Sequence, residues 1–502
     1  MSNQNAVHLK VDHCRVWVET CPPRVWRFLF ELLSYQEKAS YYQRVVRGLP
    51  PVWRRLFDVR TGQFPKGLLT RVVTALEAQG YAVTVTQLLT QPPLRPYEVP
   101  AWAYPHQRRA VAHLLAHPHS SLQSPTGSGK TAIGAFLLGH ISGRALMIVP
   151  TKDLLFQSAR KIEEILGEPV GLIGGGQCTW RRLNVGIINS LVKVKEAQEV
   201  GEIEACIYDE AHRAVQFSRY GEFVQYLRRC YFHWGLTAGA HREDGAELAL
   251  EAIIGPVLMV ISEREVEQLQ LTLKPRIFFV RQPDPCCDYP GKYTIVGRQR
   301  VYQTPNGKPE LREVYRLAVV CNQERNKAIA RIVAAYRRRH QAPVLVLVEG
   351  VDHGEMLAQQ LGCPFIHGGS PRQERQANLE GLRKGEIGLT VATRVYNEGV
   401  DIPNLGMIIN AAAGCSRQLT RQKVGRCVRS SAGKTQAIIV DFYDEEKYYL
   451  RRQAQRRLQT SEEIYPGSCK VVDLEVLCHE LSGEATYPVG FSAGVTVDAS
   501  AQ

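Results

Sequence analysis

Residues 124–131 read SPTGSGKT, and they stand between a short run, SSLQ (120–123), and an amphipathic helical stretch, KTAIGAFLLGHI (130–141). A glycine-rich turn between a strand and a helix lets backbone N–H groups and the helix N-terminus surround a phosphate group. In such a turn the lysine reaches the β- and γ-phosphates of a nucleotide, and the following hydroxyl binds Mg²⁺. The sequence therefore predicts a nucleotide and Mg²⁺ site with these phosphate-binding residues: Thr126, Gly127, Ser128, Gly129, Lys130 and Thr131. The strict pattern has glycine where Ser124 stands, so a plain turn before a core helix is the alternative.

A second motif, ACIYDEAH (205–212), places two carboxylates directly after a largely apolar run. Such a run predicts a buried strand, and in an open α/β sheet ligands bind at the carboxyl ends of the strands. We expect Asp209 to bind Mg²⁺ and Glu210 to polarise the attacking water. The alternative is a pair of solvated surface charges.

A third motif, RQLTRQKVGRCVRSS (417–431), is rich in arginine. Arg426 and Arg429 are three residues apart, so they share one face if the segment is helical. From a second α/β unit they would stabilise the charge that develops on the γ-phosphate, as an arginine finger does. The alternative is a basic face that is solvated or contacts a phosphate backbone.

The order of the remaining segments predicts an α/β protein with two parallel-sheet lobes in tandem. Strand-like runs alternate with helical stretches after residue 100 and again after residue 340, and QPPLRPYEVP (91–100) is a proline-rich linker. The predicted divisions are a small N-terminal α/β accessory domain at 1–95, a first lobe at 96–262, a second lobe at 263–450 with an insertion near 281–313, and a C-terminal helix and tail at 451–502.

Composition narrows the class of protein and its partners. The chain has 502 residues and a formal net charge of +13, which favours polyanions such as nucleic acids. Its 13 cysteines form no CxxC pair, so zinc ribbons are not expected and reduced thiols are. The sequence contains no apolar run long enough to span a membrane, and its start does not resemble a secretory signal. We expect a cytoplasmic, nucleoid-associated protein.

With these motifs in order, the chain resembles a superfamily 2 helicase or translocase of the DEAH/DExH-box kind. The resemblance covers residues 100–445 and is closest to the Rad25/XPB-like branch and to phage branch-migration helicases of the UvsW type. Further segments match the motifs of this family in order and spacing, and they are YPHQ (104–107), VPTKDLLFQ (149–157), IINSL (187–191), GLTAGAHRED (235–244), VATRVYNEGVDIP (391–403) and QKVGRCVR (422–429).

The resemblance implies two RecA-like lobes, ATP as the nucleotide and Mg²⁺ as its metal. It assigns Gln107 to adenine, and Gly399 and Asp401 to the nucleotide ribose. Gln422 joins the catalytic residues of the second lobe. The residues implied to contact a nucleic-acid backbone are Thr151, Thr393 and Arg394.

The same resemblance favours branched or forked DNA, bound by a monomer with low sequence specificity. RNA-acting members usually show GRAGR where this chain has GRCVR. Residues 1–95 resemble the N-terminal module of the phage-like members, which implies an accessory duplex-binding domain. One departure is Gly239-Ala240, which replaces the usual Thr-Pro at the strand end that couples nucleotide state to the cleft.

Two alternatives remain open at this point. The first is a duplex DNA translocase that does not separate strands, of the restriction or remodeller type. The second is a binding protein that uses a degenerate ATPase fold as a scaffold, but none of the expected catalytic residues has been lost.

Overall fold

The structure is a computed structural model that describes residues 5–37, 52–239, 246–269, 271–282, 293–296, 299–302, 315–393, 402–413, 427–428, 434, 436–445 and 448–483. Three sheets of four, eight and seven strands organise these residues, and two separate hairpins accompany them. Among the described residues, no helix is both long and apolar enough to cross a lipid bilayer.

The N-terminal module is a four-stranded mixed sheet with the strand order β5-β2-β1-β6. In its first strand, Val7, Leu9 and Val11 alternate with polar residues and are buried, as one face of a sheet requires. This mixture of strands and helices is the α/β content expected for the region. The elements are β1 (Ala6–Val11), β2 (Arg15–Thr20), α1 (Pro23–Leu32), β3 (Ser34–Glu37), β4 (Val52–Arg55), β5 (Gln63–Pro65), a 3₁₀ turn at Lys66–Leu68, α2 (Leu69–Ala78) and β6 (Ala82–Gln87).

The first lobe is built on an eight-stranded sheet with the order β10-β9-β11-β8-β12-β13-β7-β14. Its strands are parallel except for the β9–β10 pair, and helices separate most of them along the chain. The strands are β7 (His119–Gln123), β8 (Arg144–Val149), β9 (Val170–Gly174), β10 (Gln177–Thr179), β11 (Leu183–Ile187), β12 (Ile203–Asp209), β13 (Phe232–Thr237) and β14 (Val257–Val260). The helices are α3 (Pro105–Ala116), α4 (Lys130–Gly139), α5 (Lys152–Leu166), α6 (Ile188–Leu191), α7 (Gln198–Gly201), α8 (Arg219–Val224), α9 (Glu247–Ile254) and α10 (Glu263–Gln268), with 3₁₀ turns at Val192–Val194 and Ala211–Arg213.

The second lobe is a seven-stranded, fully parallel sheet with the order β19-β20-β18-β21-β22-β15-β23. Its strands are β15 (Pro275–Gln282), β18 (Val344–Leu347), β19 (Phe365–Ile366), β20 (Leu389–Ala392), β21 (Met407–Asn410), β22 (Ala437–Asp444) and β23 (Cys469–Val472). The helices are α11 (Gln323–Arg339), α12 (Val351–Leu361), α13 (Arg372–Lys384), α14 (Tyr448–Ile464) and α15 (Leu474–Ser482), with a π-helical turn at Arg316–Val320.

Two strands of this sheet were not anticipated. Strand β15 precedes the insertion, and it pairs with β22 on one side and with β23 on the other. Strand β23 lies in the range that the sequence analysis treated as a C-terminal helix and tail, so part of that tail completes the second sheet. Within the predicted insertion, β16 (Tyr293–Val296) and β17 (Gln299–Tyr302) form an antiparallel hairpin.

The N-terminal module packs tightly against the first lobe. A Cβ atom on Gly67 would lie 2.1 Å from the carbonyl oxygen of Glu251, so only glycine allows this approach. The Arg71 guanidinium donates from Nη2 to the Glu251 carboxylate at 2.6 Å and from Nε at 3.0 Å. Ala252, from the same lobe helix, is buried within the hydrophobic core of the module. The module is therefore held by apolar, ionic and steric contacts together.

Candidate active site

Three adjacent strands of the first lobe carry the predicted nucleotide residues at one edge of the sheet. Strand β13 pairs in parallel with β12 on one side and with β7 on the other. Asp209 ends β12, Thr237 ends β13, and the loop at 124–131 follows β7. Because the carboxyl ends of parallel strands meet at one edge, residues separated by more than 80 positions become neighbours.

The loop itself depends on two glycines with left-handed backbone angles. Gly127 has φ 92° and Gly129 has φ 82°, a region that residues with a Cβ atom rarely adopt. A Cβ atom on Gly129 would also lie 2.2 Å from Nε2 of Gln107, which approaches the loop from helix α3. The glycine spacing in the sequence is thus required by both conformation and packing.

Helix α3 contacts the loop through hydrogen bonds to the Ser128 carbonyl oxygen. That oxygen accepts hydrogen bonds from Nε2 of Gln107 at 3.1 Å and from Nε2 of His106 at 2.8 Å. Oε1 of Gln107 accepts from the backbone N–H of Tyr104 at 3.1 Å, which closes the first turn of the helix. His106 was missed at the sequence level, although the YPHQ segment contains it. The assignment of Gln107 to adenine stays a prediction, since its amide here binds the loop.

Ser124 explains how the loop tolerates a departure from the strict glycine pattern. Its hydroxyl donates to the Ser128 hydroxyl at 2.5 Å, and that hydroxyl donates to the Pro125 carbonyl oxygen at 2.8 Å. The backbone N–H of Ser124 donates to the carbonyl oxygen of Thr237 at 2.8 Å. Both serines are buried, and the Ser124 hydroxyl adds a hydrogen bond within the loop that a glycine could not make, while the backbone bond to strand β13 would be the same with either residue.

Lys130 is the first residue of helix α4, and Thr131 is the second. The Lys130 ammonium donates to the carbonyl oxygens of Ser124 and Pro125, each at 3.1 Å, so it lies across its own loop. Neutral carbonyls are weaker partners for an ammonium than a phosphate is. The side chain is therefore placed to exchange these contacts for the phosphates of a nucleotide.

Asp209 is buried, with 8% of its surface exposed. Burial, and then the charge of Glu210, raise the pKa of the Asp209 carboxyl to about 7, while the charge of Lys130 opposes the rise. A cation beside this carboxylate would favour its charged form and so oppose the rise in its pKa. Carboxylate and hydroxyl oxygens are suitable ligands for Mg²⁺. Asp209, together with Thr131 at the start of the neighbouring helix, therefore fits a magnesium ion that accompanies a nucleotide.

Glu210 occupies a strained conformation, with φ 48° and ψ 50°. A residue with a Cβ atom costs roughly 1–2 kcal/mol in the left-handed region, and such strain is concentrated at functional sites. The turn places Nδ1 of His212 3.5 Å from Oε2 of Glu210 and 3.3 Å from Oγ1 of Thr237. The Thr237 hydroxyl oxygen also accepts from the backbone N–H of Gly239 at 3.2 Å. One threonine thus joins the DEAH segment to the GLTAG segment.

Known proteins match the chain in both lobes. The family described as "Type III restriction enzyme, res subunit" matches residues 102–242, and "Helicase conserved C-terminal domain" matches residues 324–431. Rad25 of Halobacterium salinarum is 23% identical over 366 residues, which cover 69% of this chain and 55% of that protein. The ATP-dependent DNA helicase uvsW of Enterobacteria phage T4 is 24% identical over 366 residues, covering 69% of this chain and 68% of that protein.

In both lobes the chain is similar to superfamily 2 helicases of the Rad25/XPB and UvsW type.

The fold of the chain agrees with a solved structure. Dbp5 of S. cerevisiae bound to RNA and ADP BeF₃ is 15% identical and has a TM-score of 0.52. The structural match covers 75% of this chain and 93% of that one. The two predicted RecA-like lobes are therefore confirmed. The match spans about half of the length of the archaeal Rad25 proteins, 55% in one species and 51% in another.

The remaining predicted site residues are placed as follows. Thr151 caps helix α5, where its hydroxyl oxygen accepts from the backbone N–H of Leu154 at 3.3 Å. Thr393 is buried just after strand β20, and its backbone N–H donates to Ile366 at 3.0 Å. Their contacts with nucleic acid stay predictions. Six further predicted residues lie outside the described residues, and they are Arg394, Gly399, Asp401, Gln422, Arg426 and Arg429.

Proposed function

We propose that this chain is an ATP-dependent DNA helicase or translocase that remodels branched DNA. One observation carries the proposal. Thr237 bonds to the phosphate loop through its carbonyl oxygen and to His212 through its hydroxyl group. A nucleotide at the loop and a carboxylate pair beside it would therefore act on a shared strand end, which is the arrangement that couples hydrolysis to movement.

The residues of the first lobe divide the chemistry between them. The loop N–H groups and Lys130 bind and orient the phosphates, and Asp209 and Thr131 would hold a Mg²⁺ ion, which would supply charge neutralisation at the phosphates. Glu210 is placed to accept a proton from the attacking water. In this proposal His212 and Thr237 transmit the change from nucleoside triphosphate to diphosphate to the GLTAG segment. In this proposal Arg426 and Arg429 stabilise the transferred charge from the second lobe, with Gln422 beside them.

Several features support DNA as the partner. The net charge of +13 favours phosphate contacts, which supply affinity without sequence specificity. The relatives named Rad25, XPB and uvsW are described by their names as DNA helicases or translocases. Branched or forked DNA is proposed because the similarity extends to the branch-migration type, and because a separate N-terminal module adds a second surface for duplex.

The central test is ATP hydrolysis with and without forked DNA. We expect DNA to stimulate hydrolysis, and we expect Lys130→Ala to lower the stimulated rate by roughly 100-fold, as loss of one transition-state donor does. Lys161→Ala is the matched control, because Lys161 is an exposed lysine of the same lobe whose partner is Glu164. Equal rates in wild type and Lys130→Ala would instead favour a non-catalytic scaffold.

A second assay separates strand opening from movement along duplex. We expect the wild type to displace the labelled strand of a forked DNA in the presence of ATP. DNA-stimulated hydrolysis and displacement of a triplex-forming strand, without any opening of the fork, would identify a duplex translocase of the restriction or remodeller type.

A further inference from the structure

A cavity of about 250 Å³ lies between the N-terminal module and the first lobe. The module contributes Arg15, Arg55 and Lys66 to its walls, and the lobe contributes His119 and His233. The two histidines are paired in register near the amino ends of strands β7 and β13, whose carboxyl ends carry the nucleotide site. The cavity is therefore at the opposite edge of the sheet from Lys130 and Asp209.

The charge of the cavity is strongly positive. Among the described residues that line it, Asp58 is the single acidic one beside Arg15, Arg55 and Lys66, while the Asp12 carboxylate acts on Lys66 from outside the lining. The Asp58 carboxylate already accepts hydrogen bonds from the backbone N–H of Arg60 at 2.9 Å and from the hydroxyl of Thr61 at 2.8 Å. Asp58 is thus held in its own turn, which leaves three cationic side chains around a space that admits a small anion.

Lys66 is the residue whose ammonium group would gain a hydrogen-bond acceptor from a ligand in the cavity. Only 5% of its surface is exposed, and its Nζ atom has no hydrogen-bond partner within the described parts of the chain. Its Nζ atom lies over the face of Tyr231, 5.4 Å from the ring centroid. Burial lowers the pKa of the Lys66 amine. A buried ammonium without a hydrogen-bonded partner costs several kcal/mol in effective desolvation, and an anion in the cavity removes that cost.

The two histidines add neutral donors to the same space. Burial holds the pKa of both His119 and His233 well below the ordinary value, so both rings are uncharged at neutral pH. The Tyr208 hydroxyl lies 3.0 Å from Nδ1 of His233. When this hydroxyl donates, the imidazole proton is on Nε2 of His233, a buried atom that makes no hydrogen bond of good geometry in the described structure, although the Cys230 backbone also interacts with the ring. An acceptor oxygen is the group that such a nitrogen lacks.

We propose that this cavity binds a phosphate group, which bridges Lys66 and Arg15 of the module to the histidine pair of the lobe. The volume is several times the roughly 30 Å³ that one water occupies, so a phosphate fits with its oxygens solvated in part. Lys66 is pre-positioned for this role, because the neighbouring Gly67 is fixed against Glu251. A divalent cation is disfavoured by the same three positive charges. The phosphate belongs either to a small free anion or to DNA.

The test uses thermal unfolding of the full chain with inorganic phosphate as the probe. All measurements are made in a Lys130→Ala background, which removes phosphate binding at the nucleotide loop, and chloride at matched ionic strength is the reference. We expect phosphate at about tenfold its Kd, which stabilises the folded chain by about 1.4 kcal/mol, to raise Tm by on the order of 1–3 °C. Lys66→Met in this background should abolish the rise, whereas Lys10→Met, which changes an exposed lysine of the same module, should preserve it.

The rim residue Arg15 provides a second variant that leaves the core untouched. We expect Arg15→Gln to shift the phosphate titration to concentrations about tenfold higher, as loss of one charged hydrogen bond does. Absence of any phosphate-specific rise in the Lys130→Ala background overturns the proposal. A rise that persists unchanged in both Lys66→Met and Arg15→Gln overturns it as well. Neither outcome depends on ATP hydrolysis, so the proposed motor function is tested separately.

The two sources of phosphate are distinguished with forked DNA. If a DNA phosphate occupies the cavity, Lys66→Met weakens DNA binding by about tenfold, and inorganic phosphate competes with DNA more strongly than chloride does at equal ionic strength. If a small free anion occupies it, Lys66→Met leaves DNA affinity unchanged while the phosphate-dependent rise in Tm is still lost. Fluorescence anisotropy of a labelled fork measures both.

Discussion

Asp209 sits where a carboxylate is unfavourable without a cation. Its folded pKa of about 7 lies above the ordinary 3.8 because it is buried beside Glu210. A group whose pKa rises on folding contributes its full stability below the unfolded pKa, and that contribution is lost as pH rises through the folded value. The nucleotide-free protein should therefore lose stability between about pH 4 and pH 7 on account of this one residue.

The Asp209→Asn variant should not lose folding stability over this pH range, because its side chain does not ionise. At pH 8 and without Mg²⁺ we expect it to be more stable than wild type, by on the order of a few kcal/mol, because the variant has no buried charge at this position. At pH 4 the difference should disappear, because the wild-type carboxyl is then neutral. Urea unfolding at both pH values measures this, with Asp352→Asn as an exposed control. A gap of the same size at both pH values would contradict the explanation.

Thr237 stands just before the unusual Gly239-Ala240 pair, at the strand end that the family resemblance assigns to coupling. Its hydroxyl contacts both His212 and the N–H of Gly239. Thr237→Val keeps the shape and removes these hydrogen bonds. We expect the DNA-stimulated ATPase rate to fall by about tenfold, the equivalent of one hydrogen bond.

Thr237→Ser retains the hydroxyl and should keep most of the stimulated rate, so kcat and KM of the two variants form a matched comparison. If valine and serine give the same kcat, the hydroxyl does not transmit the nucleotide state, and the coupling must run through other residues.

At the scale of elements, a buried arginine of helix α14 connects strand β22 to the residues that follow strand β21. Arg457 is 1% exposed, and its Nε atom donates to the Asp441 carboxylate at 3.0 and 3.1 Å. The same guanidinium donates to the carbonyl oxygens of Ala413 at 2.9 Å and Phe442 at 2.8 Å. Ala413 has φ 52° and directly precedes the segment that contains Arg426 and Arg429. Arg457 thereby fixes the point from which that segment departs.

Removal of Arg457 should cost far more than removal of its neighbour. Arg457→Met leaves the Asp441 carboxylate buried and unpaired, which typically costs about 3–5 kcal/mol. Arg456→Met changes an exposed residue on the same helix and should have little effect. The double variant Arg457→Met with Asp441→Asn should recover part of the loss, since the buried charge is gone. Equal urea midpoints for Arg457→Met and Arg456→Met would refute this account.

The elements that the sequence predicted well are those with strong local patterns. The apolar run before Asp209 and the glycine turn before Lys130 are local signals, and each appears at the expected place in the sheet. Strands β15 and β23 were missed because their pairing joins residues almost 200 positions apart, which no local pattern records. Arg457 was one arginine among several in a basic helix. Only the packing of that helix shows which one is buried.

At the scale of the whole molecule, the positive charge governs how DNA is held. If about six phosphates are contacted, affinity should fall on the order of 10³-fold between about 50 and 200 mM salt. Anisotropy titrations of a labelled fork in increasing KCl measure the slope directly. A nearly flat response would mean that base or stacking contacts dominate, against the low sequence specificity expected here.

The fit of Gly67 against Glu251 has a consequence for the chain as a polypeptide. Between Gln87 and Pro93 the chain crosses from the module to the lobe through largely exposed residues, where a protease can reach it. The ion pair of Arg71 with Glu251 and the burial of Ala252 in the module core do not depend on that crossing. A molecule cleaved there should stay together and copurify as two fragments. The module therefore binds the first lobe as a separate subunit would.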